Sequence, residues 1–497
     1  MLDKTTQDWH TIAAALDIEG RAFINGRYVD ALSGETRPTT NPATGRPLAE
    51  VALCGTEDAD LAVGHARAVF ERGDWANMAP MDRKMVLVRW AELIEQNADE
   101  LALLESLDVG KPISDTTAVD VPAAVRTIRW SGEAIDKVYG EISPTPANTL
   151  ALIQRLPLGV VTAIVPWNFP LSTTAWKLAP ALATGNSVIL KPASSTPLSA
   201  LRIAGLAAEA GLPEGVLQVL PGPGGSLGRH LGLHMDIDGQ TFTGSTPVGK
   251  QLMAYSGRSN LKRTFLELGG KSPNIVFADA NLEKAAAMAA VAVFYNGGQT
   301  CTAGTRLIVE EQILDRFMKL VLESASKWMP GDPLDPATRM GPMIDQAQHD
   351  AVAEYVGIGC AEGAELVFGG HRTLDETGGY FIEPTVFRGV NNAMRIAQEE
   401  IFGPVLSVIP FTGADEAVRI ANDSIYGLAG AVWSNDINTA HKVAAAVRVG
   451  TMGINNYFGG DITVPFGGFK QSGNGRDKSI HAFHDYTELK TTWIEFD

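Results

Sequence analysis

The chain has 497 residues, 45% of them hydrophobic and 20% charged, with 57 acidic against 40 basic side chains and a formal net charge of −17. A single core stops growing near ~250–300 residues, so at least two domains are expected, and this much apolar matter excludes disorder as the main state. The acidic sum repels a phosphate backbone, so no nucleic-acid partner is expected, while a local basic pocket for a small phosphate ligand stays compatible with it. Three cysteines, Cys54, Cys301 and Cys360, cannot make a disulfide framework and point to a reducing, cytoplasmic setting. The polar start carries acids and no basic-then-apolar signal pattern, and the longest apolar stretches, such as Leu158 to Trp167, fall well short of the ~20 residues of a membrane span. A soluble protein with no membrane partner is expected.

Asp58 to Arg72 reads as a helix with Leu61, His65, Ala68 and Val69 on one face, and Pro80 to Val109 as one or two more. Short apolar runs bounded by Gly, Pro or Asn then recur: Val160–Val165, Ser187–Leu190, Val216–Leu220, Thr241–Thr243, Asn274–Phe277, Arg306–Val309 and Val405–Pro410. They are too short for helices and read as buried strands. Ser199–Ala210 and Leu282–Tyr295 between them read as helices. Strand–helix alternation with fully apolar strands predicts parallel sheets covered on both faces, an α/β architecture.

Cys301 sits in Asn296-Gly297-Gly298-Gln299-Thr300-Cys301-Thr302-Ala303-Gly304, after an apolar helix. Flanking glycines let the backbone approach a ligand, and a thiol there can serve as nucleophile; the plainer alternative is a small buried hydrophobe. Glu267, between two leucines and before Gly269-Gly270, is either a desolvated general base or an exposed strand-end acid. Phe242-Thr243-Gly244-Ser245-Thr246-Pro247 follows a strand and opens a helix, the place where anions bind. Gly222-Pro223-Gly224-Gly225-Ser226-Leu227-Gly228 misses a dinucleotide fingerprint by one position and equally reads as a Gly-rich turn. Lys191 ends a strand where α/β folds bind nucleotides, or is a loop lysine. The Asn168 amide can donate to an oxyanion, or fill a turn between two prolines. The histidines are read as holding no pair at metal-ligand spacing apart from His481 and His484, three apart, which nothing completes; no metal is expected.

In order along the chain, Pro166-Trp167-Asn168-Phe169-Pro170, Lys191-Pro192-Ala193-Ser194, Phe242-Thr243-Gly244-Ser245-Thr246, Glu267-Leu268-Gly269-Gly270-Lys271, Gly298-Gln299-Thr300-Cys301, Glu399-Glu400-Ile401-Phe402-Gly403-Pro404 and Pro465-Phe466-Gly467-Gly468-Phe469-Lys470 resemble the NAD(P)-dependent aldehyde dehydrogenases, from about residue 20 to the end. The resemblance implies that Cys301 attacks the aldehyde, that the Asn168 amide and the Cys301 backbone N–H hold the oxyanion, and that Glu267 activates the water that hydrolyses the thioester. It implies supporting roles for Lys177 and Asp477, the latter shorter than the Glu of many relatives. NAD and/or NADP would be held by Trp167, Lys191, Ser194, Gly224, Gly244, Ser245, Leu268, Glu400 and Phe402. Many NAD-preferring relatives carry Glu where this chain has Ser194, so its hydroxyl and the Lys191 cation are expected to admit NADP.

The implied fold has a Rossmann-like cofactor domain (1–140 and 160–268), a catalytic domain (269–483) and a small β-region (141–159 and 484–497) that builds a homodimer or homotetramer. Within the family, Arg21-Ala22-Phe23-Ile24-Asn25-Gly26, Ala134-Ile135-Asp136-Lys137-Val138-Tyr139-Gly140-Glu141 and Gln471-Ser472-Gly473-Asn474-Gly475-Arg476-Asp477-Lys478-Ser479 look like bacterial dehydrogenases of γ-glutamyl-aminobutyraldehyde and 4-guanidinobutyraldehyde. A small ω-amino or related polar aliphatic aldehyde is the implied substrate. Phe169, Trp176 and Tyr295 would wall its tunnel, and Asp120 and Asp461 would stand at the mouth to attract a cationic tail or be plain solvated acids. Two rival readings are a coenzyme A-acylating semialdehyde dehydrogenase, against which Glu267 speaks, and a cysteine-dependent hydrolase.

Overall fold

The computed structural model describes residues 4–457 and 459–497. Two seven-stranded sheets organise it. In the first, Arg263–Glu267, Gly239–Thr243, Val160–Ile164, Ser187–Lys191 and Leu217–Val219 lie side by side in parallel, and Ala22–Ile24 and Arg27–Val29 close one edge antiparallel. The second runs Glu365–Phe368, Thr385–Arg388, Val405–Phe411, Arg306–Glu310, Pro273–Val276, Ala429–Trp433 and Thr451–Ile454, parallel except at its first pair. Every apolar run expected as a strand is one. Burial on both faces explains why those runs show no alternation: all five residues of Val160–Ile164 and of Ser187–Lys191 are buried.

The helix expected at Asp58–Arg72 spans Thr56–Arg72, but its buried face is Ala59, Ala62, Val63, Ala66 and Val69, which keeps only Val69 of the expected face. Leu61 is 41% exposed. Asp58 sets the rotation: its carboxylate turns inward to accept from the backbone N–H of Gly55 and of Leu32, both at 2.8 Å. The alanine stripe then lies close against Val160, Ile189 and Leu220 of the first sheet. Pro80–Val109 is two helices, Pro80–Gln96 and Ala98–Val109, parted at Asn97. No helix among the described residues is long and apolar enough to cross a membrane.

A third sheet stands apart from both cores. Thr487–Glu495 pairs antiparallel with Thr149–Pro157 through nine residues, and Glu141–Ser143 adds to the other edge of Thr149–Pro157. Its Ile142, Leu489 and Trp493 are 70%, 59% and 66% exposed.

Buried Arg306 ties the second sheet to the loop after Glu267. Its guanidinium donates to the carbonyls of Lys271, Ile420 and Ala421 at 2.9 Å each and to Asn392 Oδ1 at 3.2 Å. Arg306→Met would leave those acceptors buried and unmet. Breaking buried polar networks of this kind costs about 3–5 kcal/mol, so urea denaturation of the variant should show a loss of that size. A change smaller than about 0.5 kcal/mol, the ordinary spread for surface substitutions, would contradict the clamp.

Candidate active site

Among the parallel strands of the first sheet the chain starts at Val160–Ile164, steps outward on one side to Leu217–Val219, then returns to the other side at Gly239–Thr243. Ligands of open α/β sheets bind at the carboxyl ends of the two strands where that order reverses. The loops that leave these strands carry Trp167-Asn168 and Gly244-Ser245. They line a cavity of about 870 Å³.

Trp167, Lys191, Ser194, Gly224, Gly244, Ser245, Leu268, Glu400 and Phe402 all line that cavity, as do Asn168, Glu267, Cys301 and Asp477. Phe169, Trp176 and Tyr295 line it too. A Cβ added at Gly224 or Gly225 would meet no atom within 4 Å, so the absent side chains leave room for a ligand rather than for packing. Gly224–Gly228 forms a single π-helical turn, which explains the missed fingerprint spacing. The space, the small residues and the cations Lys191 and Arg229 fit an elongated phosphate-bearing group such as a dinucleotide. Arg229 was not singled out from the sequence; its position directly after the glycine turn is the signal that could have found it.

Cys301 reaches the cavity on a turn of left-handed backbone adopted by one asparagine and two glycines. Asn296, Gly297 and Gly298 have φ of 51°, 61° and 73°, and a Cβ on Gly298 would stand 2.2 Å from the Gly403 carbonyl oxygen. Two amides lock this turn to the first sheet: Asn168 Nδ2 donates to the Gln299 carbonyl at 2.8 Å, and Asn296 Nδ2 donates to the Asn168 carbonyl at 3.0 Å. An amide nitrogen has two hydrogens, so Asn168 keeps a second donor to offer.

Glu267 is 2% exposed, and neither of its oxygens has a hydrogen-bond partner among the described residues. Burial pushes its carboxyl well above the usual range, Asp477 adds to the rise, and Lys177 and Arg476 oppose it. Lys177 Nζ pairs with Asp477 Oδ2 at 2.6 Å, almost fully buried. Cys301 is half-buried. Its thiol is pushed up to about 12, first by burial and then by Glu400 and Glu267, against the backbone N–H groups of Thr302 and Cys301. Glu400 is pushed up to about 7 by burial and accepts from the Gly270 N–H at 3.1 Å. That approach needs Gly269, whose Cβ would lie 2.1 Å from a Glu400 oxygen.

Three expectations are corrected. Asp120 does not stand at a mouth: it is fully buried and paired with Lys111 at 2.9 Å, and the same ammonium lies 3.7 Å from the Phe169 ring centre. Asp461 is exposed, as the solvated alternative had it, and neither acid lines the cavity. Ser194 does not hold its proton free, since its Oγ donates to the Gly222 carbonyl at 2.9 Å. The reading of the histidines overlooked His230 and His234, four apart, which lie outside the cavity beside Asp60.

The aldehyde dehydrogenase family profile matches residues 28–492. The NADP/NAD-dependent aldehyde dehydrogenase PuuC of Escherichia coli K12 is 53% identical over 490 residues, 98% of each chain. An indole-3-acetaldehyde dehydrogenase solved with NAD+ superposes with a TM-score of 0.98 at 58% identity, covering 99% of this chain and all of that one. The γ-glutamyl-γ-aminobutyraldehyde dehydrogenase of Burkholderia cenocepacia J2315 does so at 0.98 and 54%, with the same coverage.

The raised thiol is directly testable in the free protein. Alkylation of Cys301 by iodoacetamide, followed by peptide mass spectrometry, should keep climbing about tenfold per pH unit past the ordinary thiol value of ~8.5. A plateau near that ordinary value would contradict the desolvated setting.

Proposed function

Because the chain belongs to the aldehyde dehydrogenase family, we propose that it oxidises an ω-amino or related polar aliphatic aldehyde to the carboxylic acid with NAD or NADP, through a thioester on Cys301. The convergence of Cys301, Asn168 and Glu267 on one cavity carries this reading. The Cys301 sulfur attacks the carbonyl carbon as its proton passes to solvent, and the raised carboxyl of Glu267 makes its carboxylate form a correspondingly strong base for the later water step. The spare Asn168 N–H and the Cys301 backbone N–H take the oxyanion. A nicotinamide cofactor held among Trp167, Glu400 and Phe402 would supply the hydride acceptor for the thiohemiacetal carbon. Glu267 then takes a proton from water, the water oxygen attacks the thioester carbon, and the sulfur leaves. A base poised to activate water favours hydrolysis over transfer to coenzyme A. The Lys177–Asp477 pair holds a balanced charge beside Glu267 and so keeps its environment fixed.

Support for the substrate class comes from the named activity of the Burkholderia relative and from the apolar tunnel wall, where Trp176 and Phe466 pack at 5.2 Å and Phe169 and Tyr295 stack at 6.2 Å. Methylenes suit that wall, and a panel of aldehydes differing only in the terminal group ranks the tails. Residues 1–140 with 160–268 serve as the cofactor domain and 269–483 as the catalytic domain. The exposed apolar face on 141–159 and 484–497 joins subunits into a dimer or tetramer, supported by Ile142, Leu489 and Trp493.

Glu267→Gln tests the chemistry. A burst of reduced cofactor equal to the enzyme, followed by a steady state slowed about a hundredfold or more, is expected, since removal of a general base costs about 10²–10⁴. A larger fall in the burst itself than in the steady state would reassign Glu267 to activating the thiol.

Cofactor choice turns on charge. The acids lining the cavity are Glu267, Glu400 and Asp477, none of them beside Lys191 and Ser194 in the chain. Burial lowers Lys191 to about 8, and its ammonium donates to the Pro192 carbonyl at 3.0 Å. The Ser194 oxygen is small and uncharged, so a 2′-phosphate meets no repulsion there. Ser194→Glu should lower kcat/KM for NADP about a hundredfold, the factor that a few kcal/mol of like-charge repulsion gives, and affect NAD far less. Equal losses for both cofactors, or no NADP turnover in the parent enzyme, would contradict this.

A further inference from the structure

The overlooked histidines form the one group of three His, Cys, Asp or Glu residues at metal-ligating distance among the described residues. His230 and His234 sit four apart on and just after the short helix Arg229–Leu233, and Asp60 faces them from the helix Thr56–Arg72. Asp60 Oδ1 lies 2.5 Å from His230 Nε2 and 3.3 Å from His234 Nε2, and the three ligand atoms all lie within 4.8 Å of one another. The two rings meet edge to face with centres 5.6 Å apart, so their nitrogens converge on one point beside the carboxylate instead of stacking away from it.

We propose that Asp60, His230 and His234 form a surface site for a first-row divalent transition cation, zinc in particular, with water completing the coordination. Two imidazoles and one carboxylate make a nitrogen-rich donor set that suits zinc, nickel or copper(II) and is poor for magnesium or calcium. In the cation-free protein His234 Nδ1 accepts from the Asp236 N–H at 3.1 Å, so its proton sits on Nε2, facing Asp60. Coordination through Nε2 moves that proton to Nδ1 and releases the Asp236 N–H, which lies at the exposed surface where water replaces the acceptor. Nothing is oxidised or reduced. The cation adds a polar bridge between two elements that share a buried apolar cluster, Ala59, Ala62 and Val63 with Leu227 and Leu231. It fastens helix Thr56–Arg72 to the segment that begins at the Gly224–Gly228 turn. Gly228 and Arg229, the residues just before His230, line the cavity.

The test uses the full chain cleared of metal, in a Cys301→Ala background so that the catalytic thiol does not compete. Titration with Co²⁺ read by visible absorption, and with Zn²⁺ by calorimetry, should show one saturable equivalent per chain and a rise in Tm on Zn²⁺ addition. His230→Ala and His234→Ala should each weaken binding at least about tenfold and abolish the Tm rise, while His481→Ala changes neither. The near-isosteric Asp60→Asn, which preserves shape should either alanine variant misfold, should weaken binding by about tenfold too. No saturable uptake at millimolar cation, or one equivalent surviving in the His230→Ala/His234→Ala double variant, would overturn the proposal.

Discussion

The site depends on a carboxyl group buried with no hydrogen-bond partner among the described residues. Glu267 is 2% exposed and its oxygens accept no hydrogen bond from the described protein. A buried carboxylate in that state is costly, and the group relieves the cost by holding its proton. Lys177 opposes the rise, but its partner Asp477, 2.6 Å from it, adds to it. The pair thus adds no net charge that would pull Glu267 back into the ordinary range. The same neighbourhood keeps the Cys301 thiol protonated in the free protein.

That arrangement needs two sheets held in fixed relation. Asn168 belongs to a loop of the first sheet and Cys301 to a turn between the second-sheet strands Pro273–Val276 and Arg306–Glu310, and the reciprocal Asn168–Gln299 and Asn296–Asn168 bonds join them. Glycines do the rest at close quarters. Gly298 lets the chain pass Gly403, and Gly269 lets Glu400 reach the Gly270 N–H. Arg306 holds the carbonyl of Lys271 from beneath. Each contact is short and specific, which makes the site rigid where bond formation needs it to be.

Much of this was legible in the sequence, and the gaps have physical reasons. The buried strands announce themselves as unbroken Val, Ile and Leu runs because both faces are covered. The lining residues were found through ordered motifs, each carrying a glycine or proline that marks a loop. The helix face at Thr56–Arg72 was misjudged because an inward Asp58 cap, invisible to hydropathy, sets the rotation. Asp120 was misplaced for a related reason. Its partner Lys111 lies nine residues away, and a charge in a sequence does not declare whether it is paired and buried. Ser194 offered a hydroxyl, but only coordinates place the Gly222 carbonyl beside it. The His230 and His234 pair was plainly visible in the sequence and was missed; what the sequence could not show was Asp60 between them, supplied by another helix.

The most direct measurement is the protonation of Glu267 itself. An infrared pH titration of the free protein, taken as the difference between wild type and Glu267→Gln, isolates its carboxyl C=O stretch. The account predicts that the protonated band persists above the ordinary carboxyl range of about 4–5. A band already lost by about pH 5 would show an ionised Glu267 at rest, and would contradict the desolvated base on which the chemistry is built.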